Sequence, residues 1–375
     1  MFPRRFSYLR FGPLQLRCRL CDHATAEVDI GCVRCESQSV HTLGPLHRRH
    51  AGNDTVWLAS LTLDAHALNI RQFRNADLPD LVRIWIEHWS TAGPPPYVNH
   101  AKYEQAVLAR NFFDPATLLV AESDGTVTGW CHFAAPEDAA DETVVHALCL
   151  AANAEPAVGL KLLSAIEHSR QATSHIRIGL VRDDQRGYAG LEPIGFGIGI
   201  PLSDYRTSSL LQQAGYTPGM AHFRMLARVD QYRPPVNRAA LQHRRTSRLS
   251  CRPIIPQEKR LAACLAHVDL ESAELLDQLG SPIASVLIWF SDPEAEVMSP
   301  TAAILDLKAQ HEQGRLLAAE SYLIGALVHS LNQRNIQTVE TAIDGDRTEL
   351  IEQLQKLQFK VVDEGTCWEK THSTA

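Results

Sequence analysis

The sequence predicts an α/β protein with a mixed sheet, built from two tandem copies of one unit. Three observations carry that expectation. Residues 144–150 read as a strand, 151–158 as a loop, 159–170 as an amphipathic helix and 175–181 as a second strand, the order of a βαβ unit. The same order returns at 302–307, 311–315, 316–333 and 338–343. A chain of 375 residues also exceeds the roughly 100–200 residues of one ordinary domain, so two are expected. In each copy the loop feeds a helix N-terminus, where unpaired N–H groups and the positive dipole end suit an anionic ligand.

The remaining elements follow in order. Residues 69–74 alternate apolar and polar, as a half-buried strand does. Asp77 is placed to cap the next helix and Pro79 suits its first turn. Leu78, Leu81, Val82, Trp85, Ile86 and Trp89 then recur at helical spacing, and Gly93 with Pro94–Pro96 ends the helix. A short helix is expected over 103–110, and two strands, 118–122 and 127–133, flank an Asp124-Gly125 hairpin turn. Beyond the first βαβ unit lies a Gly-rich loop, 187–201, then a helix capped by Ser203 or Asp204 and closed at Gly215, and a strand over 223–229. Residues 230–250 form a basic, Pro-broken connector, read as a solvated linker or exposed helix. In the second half, 261–279 reads as helix, 283–290 as an apolar strand, 347–357 as helix and 361–370 as the last strand.

Composition bounds the class. Hydrophobic content of 45% and charged content of 21% are those of a globular protein, and a net charge of -7 argues against non-specific nucleic-acid binding. No apolar run reaches the roughly 18 residues of a membrane-spanning helix, and the basic N-terminus lacks an apolar signal core. A cytoplasmic protein, with no membrane and no nucleic-acid partner, is therefore expected. Cys131, Cys149, Cys251, Cys264 and Cys367 are scattered, mostly in apolar stretches, as free thiols in a reducing compartment would be.

Cys18-x-x-Cys21 and Cys32-x-x-Cys35 stand apart. Two such knuckles supply four thiolates to one tetrahedral zinc, so residues 1–66 are expected to be a small zinc ribbon or a non-native extension. The extension reading rests on the basic, unpatterned lead and on the lack of a second methionine before Met220.

From Ile70-Arg-Gln-Phe-Arg-Asn-Ala-Asp77-Leu-Pro-Asp-Leu-Val82 onward, the order strand, two helices, hairpin, strand, loop, helix, strand, helix, strand resembles the GNAT superfamily of acyl-CoA-dependent N-acyltransferases. The arrangement is similar to tandem enzymes such as mycothiol synthase, with one domain over 67–230, a linker over 231–249 and a divergent second domain over 250–375. The resemblance implies acetyl-CoA as cosubstrate and a small-molecule or peptide amine as acceptor. It implies that the strand backbone at Leu148, Cys149 and Leu150 holds the pantetheine arm, and that the turn Ala157, Val158, Gly159, Leu160 and Lys161 wraps the pyrophosphate. Gly314 and Arg315 are the counterparts in the second half.

The family's loop runs Gln/Arg-x-x-Gly-x-Gly/Ala. Here Ala154-Glu-Pro-Ala157-Val-Gly159 keeps only the second glycine, and His311-Glu-Gln-Gly314-Arg-Leu316 only the first. Many relatives place an acid tyrosine four residues before a Gly-Phe or Gly-Tyr pair. The matching positions are Leu211, before Gly215-Tyr216, and Leu354, before Gln358-Phe359, and neither donates a proton. His146 is the base candidate, against the alternative of a packed strand histidine, with Asp306, Glu122 and Tyr205 as further candidates. Gly195-Phe-Gly197-Ile-Gly199 is not a dinucleotide fingerprint, because Ile200-Pro201 stands where a helix should begin; a flexible substrate-side loop or lid is expected instead. The expected activity is acetyl transfer, chiefly by the first half, with a non-catalytic GNAT-fold binding module and a zinc-ribbon adaptor as alternatives.

Overall fold

The computed structural model describes residues 68–135, 141–170, 175–181 and 187–371. Residues 66–375 form one compact unit. The Cys18, Cys21, Cys32 and Cys35 knuckles lie outside the described residues.

The chain opens with strand β1 (Asn69–Gln72) and helix α1 (Leu78–Ser90), whose Leu81, Val82, Ile84, Trp85 and Trp89 are buried. Asp77 does not cap α1 with its side chain. Its carboxylate accepts instead from the Arg71 guanidinium at 2.7 and 2.9 Å and from the Arg74 N–H at 2.8 Å, tying β1 to the helix start. A single turn, α2 (His100–Tyr103), runs into a π-helical turn, Glu104–Leu108. The expected hairpin forms between β2 (Leu118–Ser123) and β3 (Thr126–Ala134), with φ +51° at Asp124 and +74° at Gly125 as a mirror-image turn requires.

Next come β4 (Glu142–Leu150), α3 (Pro156–Ser169) and β5 (His175–Ile178). Helix α3 starts one turn earlier than the sequence suggests, since Pro156 fits a first helical position. The Gly-rich segment contributes a short strand, β6 (Ile200–Pro201). Asp204 then caps α4 (Tyr205–Gln213) by accepting from the Thr207 N–H at 3.0 Å, and β7 (Thr217–Arg228) follows.

The basic connector is a helix, α5 (Arg238–Thr246), that packs on the second half through His243 stacked on Tyr322. The second half comprises β8 (Arg248–Pro253), α6 (Lys259–Cys264), β9 (Val268–Leu276), β10 (Pro282–Ser291), β11 (Ala302–Asp306), α7 (Lys308–Gln313), α8 (Ala318–Ser330), β12 (Thr338–Asp344), α9 (Thr348–Lys356) and β13 (Lys360–Thr371). Two sequence expectations fail here. The helix expected over 261–279 is short, and Val268–Leu276 is a strand paired on both sides, by β8 and β10. Its Leu, Glu and Ala favour helix locally, but pairing across the sheet overrides weak propensity. The expected loop at 311–315 begins inside a helix, α7, which Gly314 closes in the left-handed conformation.

The thirteen strands of the described residues share one sheet, ordered β1-β2-β3-β4-β5-β13-β7-β12-β11-β10-β9-β8, with β6 beside β13. That order is a palindrome of the two halves. Each half's last strand crosses over: β13 pairs with β5 of the first half, and β7 pairs with β12 of the second. The two exchanged strands meet as an antiparallel pair at the centre. Separate apolar clusters fill each half, the larger joining Met225 and Ala227 of β7 to Leu323, Leu327 and Leu354 of the second.

The two parallel ladders, β4 with β5 and β11 with β12, both stop early. Pairing ends at Val145–Ile178 and at Ile304–Glu340, yet β4 runs on to Leu150, β11 to Asp306 and β12 to Asp344. Each pair of strands therefore parts, leaving an opening within the sheet.

Candidate functional site

The first opening is filled. His146, the first β4 residue beyond the paired stretch, is buried, with its ring 5.4 Å from His132 and 6.1 Å from Tyr188. Tyr188, from the Gly-rich segment, holds the Tyr103 hydroxyl at 3.2 Å and His132 Nδ1 at 2.9 Å. Neither ring nitrogen of His146 has a hydrogen-bond partner among the described residues. Burial, together with His132 and Arg177, pushes its pKa well below the usual value, so it is neutral.

Leu148, Cys149 and Leu150 are all buried, and burial pushes the Cys149 thiol up. The loop beyond them is fastened by Arg206, whose guanidinium donates to the carbonyls of Ala151 at 2.8 Å and Ala154 at 2.6 Å. Ala157 and Lys161 are exposed and Val158 is buried; Leu160 lies between these extremes. Lys161 Nζ donates to the Leu68 carbonyl at 3.0 Å. A Cβ on Gly159 would lie 2.3 Å from Leu210 Cδ2 and 3.2 Å from Leu150 Cδ1, so this glycine lets α3 pack on α4 and β4. No side chain caps the α3 first turn.

The second opening holds a cavity of about 300 Å³. Asp306 and Leu307 border it from the end of β11, Thr341 and Ala342 from β12, and Lys308, His311 and Glu312 from α7. Trp289 of β10, whose buried indole N–H meets no acceptor among the described residues, is part of the wall. Ala189, Gly195 and Phe196 complete it from the Gly-rich segment, so that loop serves the second half as a wall. Asp306 accepts from the Lys308 N–H at 2.9 Å.

Behind the cavity, Asp344 at the end of β12 is held between two imidazoles. Its Oδ1 lies 2.8 Å from His222 Nδ1 and its Oδ2 2.8 Å from His311 Nε2. Arg315 is exposed, and Gly314 takes φ +73°, with only the Arg347 guanidinium near its missing Cβ, at 3.9 Å. Just ahead of α8, the Leu317 N–H donates to Glu320 at 2.7 Å, and Gln353 accepts from the Leu316 N–H.

The other sequence candidates have structural partners or lie elsewhere. Glu122 accepts from Arg71 at 2.6 Å, Tyr205 is exposed at the start of α4, and Leu211 and Leu354 are core residues. Among the described residues no group of three or more His, Cys, Asp or Glu is placed to hold a metal ion. No described helix is long and apolar enough to cross a membrane.

No sequence-family model matches the chain, and no curated protein matches it in sequence. Solved structures do match. A tandem GNAT protein from the clavulanic acid biosynthesis pathway aligns with a TM-score of 0.59 and 13% identity, over 82% of this chain and all of that one. The GCN5-related glucosamine N-acetyltransferase region of a fungal multi-domain β-N-acetylglucosaminidase aligns at 0.56 and 14%, over 82% of this chain and 38% of that one. A GCN5-related N-acetyltransferase from Sphaerobacter thermophilus aligns at 0.50 and 12%, over 81% and 95%. The fold is thus that of the GNAT acetyltransferases, in tandem.

Proposed function

We propose that the chain is an N-acyltransferase that moves an acetyl group from acetyl-CoA to an amine, with the thioester seated in the cavity between β11 and β12. One observation carries this reading: the parallel pair parts after Ile304 and Glu340, and the space between the strands stays open as a cavity of about 300 Å³. Strand backbone freed from its ladder is free to pair with an extended ligand such as a pantetheine arm. Asp306 and Glu312 favour a cationic amine as acceptor, a small molecule or a peptide. Arg315 and Arg347 beside Gly314 offer side-chain contacts to the phosphates.

The first half supports a second reading for the cosubstrate phosphates, since the α3 first turn is uncapped and Arg206 stands beside it. Titration calorimetry with acetyl-CoA separates the two. Arg315→Ala weakens binding about tenfold if the second half binds, the size of one lost charge-assisted contact. Arg206→Ala does so if the first half binds. Acetyl-CoA binding with CoA release in the presence of primary amines supports the enzyme, and binding without release supports a module of the same fold. Absence of binding overturns the proposal.

A further inference from the structure

We infer that the cleft between α5 and α8 is a ligand site of its own, shaped for a small carboxylate with an apolar body. It shares no lining residue with the cavity between β11 and β12, so the inference stands apart from the acyl-transfer reading above. The cleft has a volume of about 430 Å³. A pocket of this size, mostly apolar with a few convergent polar groups, is the usual form of a small-molecule site. Asn237, Leu241 and Arg244 line it at i, i+4 and i+7, along one face of α5 and its cap. Across from them on α8 are Ser321, Gly325 and Ala326, too small to fill the space. His243 stacks on Tyr322 and holds the two helices together, with ring centroids 5.6 Å apart. An added Cβ on Gly325 would meet Pro234 Cβ and the Tyr232 hydroxyl at 3.6 Å and Leu357 Cδ2 at 3.7 Å, all ordinary contacts. Packing therefore tolerates alanine here and helix propensity favours it, yet the position is glycine and the space is kept. The Tyr232 hydroxyl beside that space is buried, and no described residue supplies its hydrogen-bond partner.

Charge sets the sign of the ligand. The lining holds Arg244 and His329 and no Asp or Glu. Arg244 is exposed and makes no ion pair among the described residues. Residues 231–257 carry six arginines and no acid, within a chain of net charge -7, so the positive field is local. Other donors stand with Arg244. Asn237 Oδ1 is taken by the Ala240 N–H at 2.8 Å, which leaves the amide N–H groups, and Ser321 adds a hydroxyl. An ionised carboxylate only accepts hydrogen bonds, so it suits this set, and its bond to a guanidinium is of the strong, charge-assisted kind. Pro235, Leu241 and Leu357 supply apolar walls for its body. A cation finds no counter-charge in the cleft.

Octanoate, with octanamide as its neutral match, tests this on the full-length protein. Titration calorimetry is expected to show octanoate binding about tenfold more tightly than octanamide, the size of one charge-assisted contact. Saturating acetyl-CoA is expected to leave octanoate binding in place. Arg244→Gln brings octanoate down to the octanamide level and leaves octanamide unchanged. Gly325→Ala puts a methyl group into the cleft and weakens both ligands by about fivefold or more while Tm is held or raised, a result that loss of folding cannot imitate. Equal affinity for octanoate and octanamide overturns the proposal, as does octanoate binding unmoved by Arg244→Gln or by Gly325→Ala. Displacement of octanoate by acetyl-CoA overturns it too, since the carboxylate then occupies the cosubstrate site. Absence of octanoate binding overturns it as well; where vesicles of phosphatidylglycerol then capture the protein, the basic face of α5 belongs to a lipid surface.

Discussion

Gly199 lies where the Gly-rich segment meets the exchanged strand β13, and replacing it by alanine is expected to weaken the whole unit. Its φ is +76°, and an added Cβ would sit 2.4 Å from the Thr366 carbonyl oxygen and 2.6 Å from its carbon. Thr366 cannot retreat, because it is paired with Ile200 on one side and Ala221 on the other. A left-handed conformation costs a non-glycine residue about 1–2 kcal/mol, and overpacking against fixed atoms adds about 1–3 kcal/mol. Lower entropy of the unfolded chain returns about 0.4–1 kcal/mol. The expected net loss is about 2–4 kcal/mol, or roughly 3–6 °C in Tm for a unit of this size. Gly280 supplies the control: its φ is +86° but nothing lies within 4 Å of its missing Cβ. Gly280→Ala should therefore lose only about 1 kcal/mol, the conformational cost alone. Urea unfolding of both variants, compared at equal m-values, reads the difference. A Gly199→Ala variant no less stable than Gly280→Ala would refute the claim that β13 is locked against this segment.

Three further outcomes are expected. Burial holds the folded-state pKa of His132 at about 3 and of His267 at about 4, and depresses that of His146 well below 6.5. The unfolded chain therefore takes up these protons first as pH falls. Stability is full above about pH 6.5 and declines below it, by about 4 kcal/mol between pH 7 and 5 from His132 and His267, with His146 acting in the same direction; a flat Tm across that range would count against the three neutral histidines. Replacing His146 by leucine removes two buried nitrogens without partners and should leave stability at neutral pH unchanged or raised by about 1 kcal/mol, while flattening the acid limb. Arg71→Met breaks the bonds to Asp77 and Glu122 and should cost about 1.5–3 kcal/mol in chemical denaturation, since both carboxylates stay behind.

Much of the layout was legible because it is written locally. The apolar stripe of α1, the Asp124-Gly125 turn and the paired βαβ units follow from periodicity and turn chemistry, which act over a few residues. Val268–Leu276 misled because its Leu, Glu and Ala suit a helix, while its strand state depends on partners beyond the segment itself. The strand exchange leaves no local trace at all: β7 and β13 read as strands whichever half they join. The second cavity was illegible for the same reason. Its wall needs Phe196 beside Trp289, and His311 needs Asp344, and only the folded sheet makes these pairs neighbours. His146 reads from the sequence as a strand residue, and it lies in β4, but whether it meets solvent or Tyr188 depends on the distant Gly-rich segment.

The exchanged strands also set a schedule for synthesis. The first half has all its own elements once β7 emerges, yet the slot between β5 and β7 belongs to β13, at the far end of the chain. At translation rates of roughly 5–20 residues per second, the ribosome needs roughly 7–30 s to make the stretch from Arg228 to Thr371. Through that interval β5 and β7 present open edges to every neighbouring nascent chain. The twelve residues of β13 join both halves at once, so a ribosome that stalls before them releases a protein whose one sheet is open at its centre, rather than one finished and one missing domain.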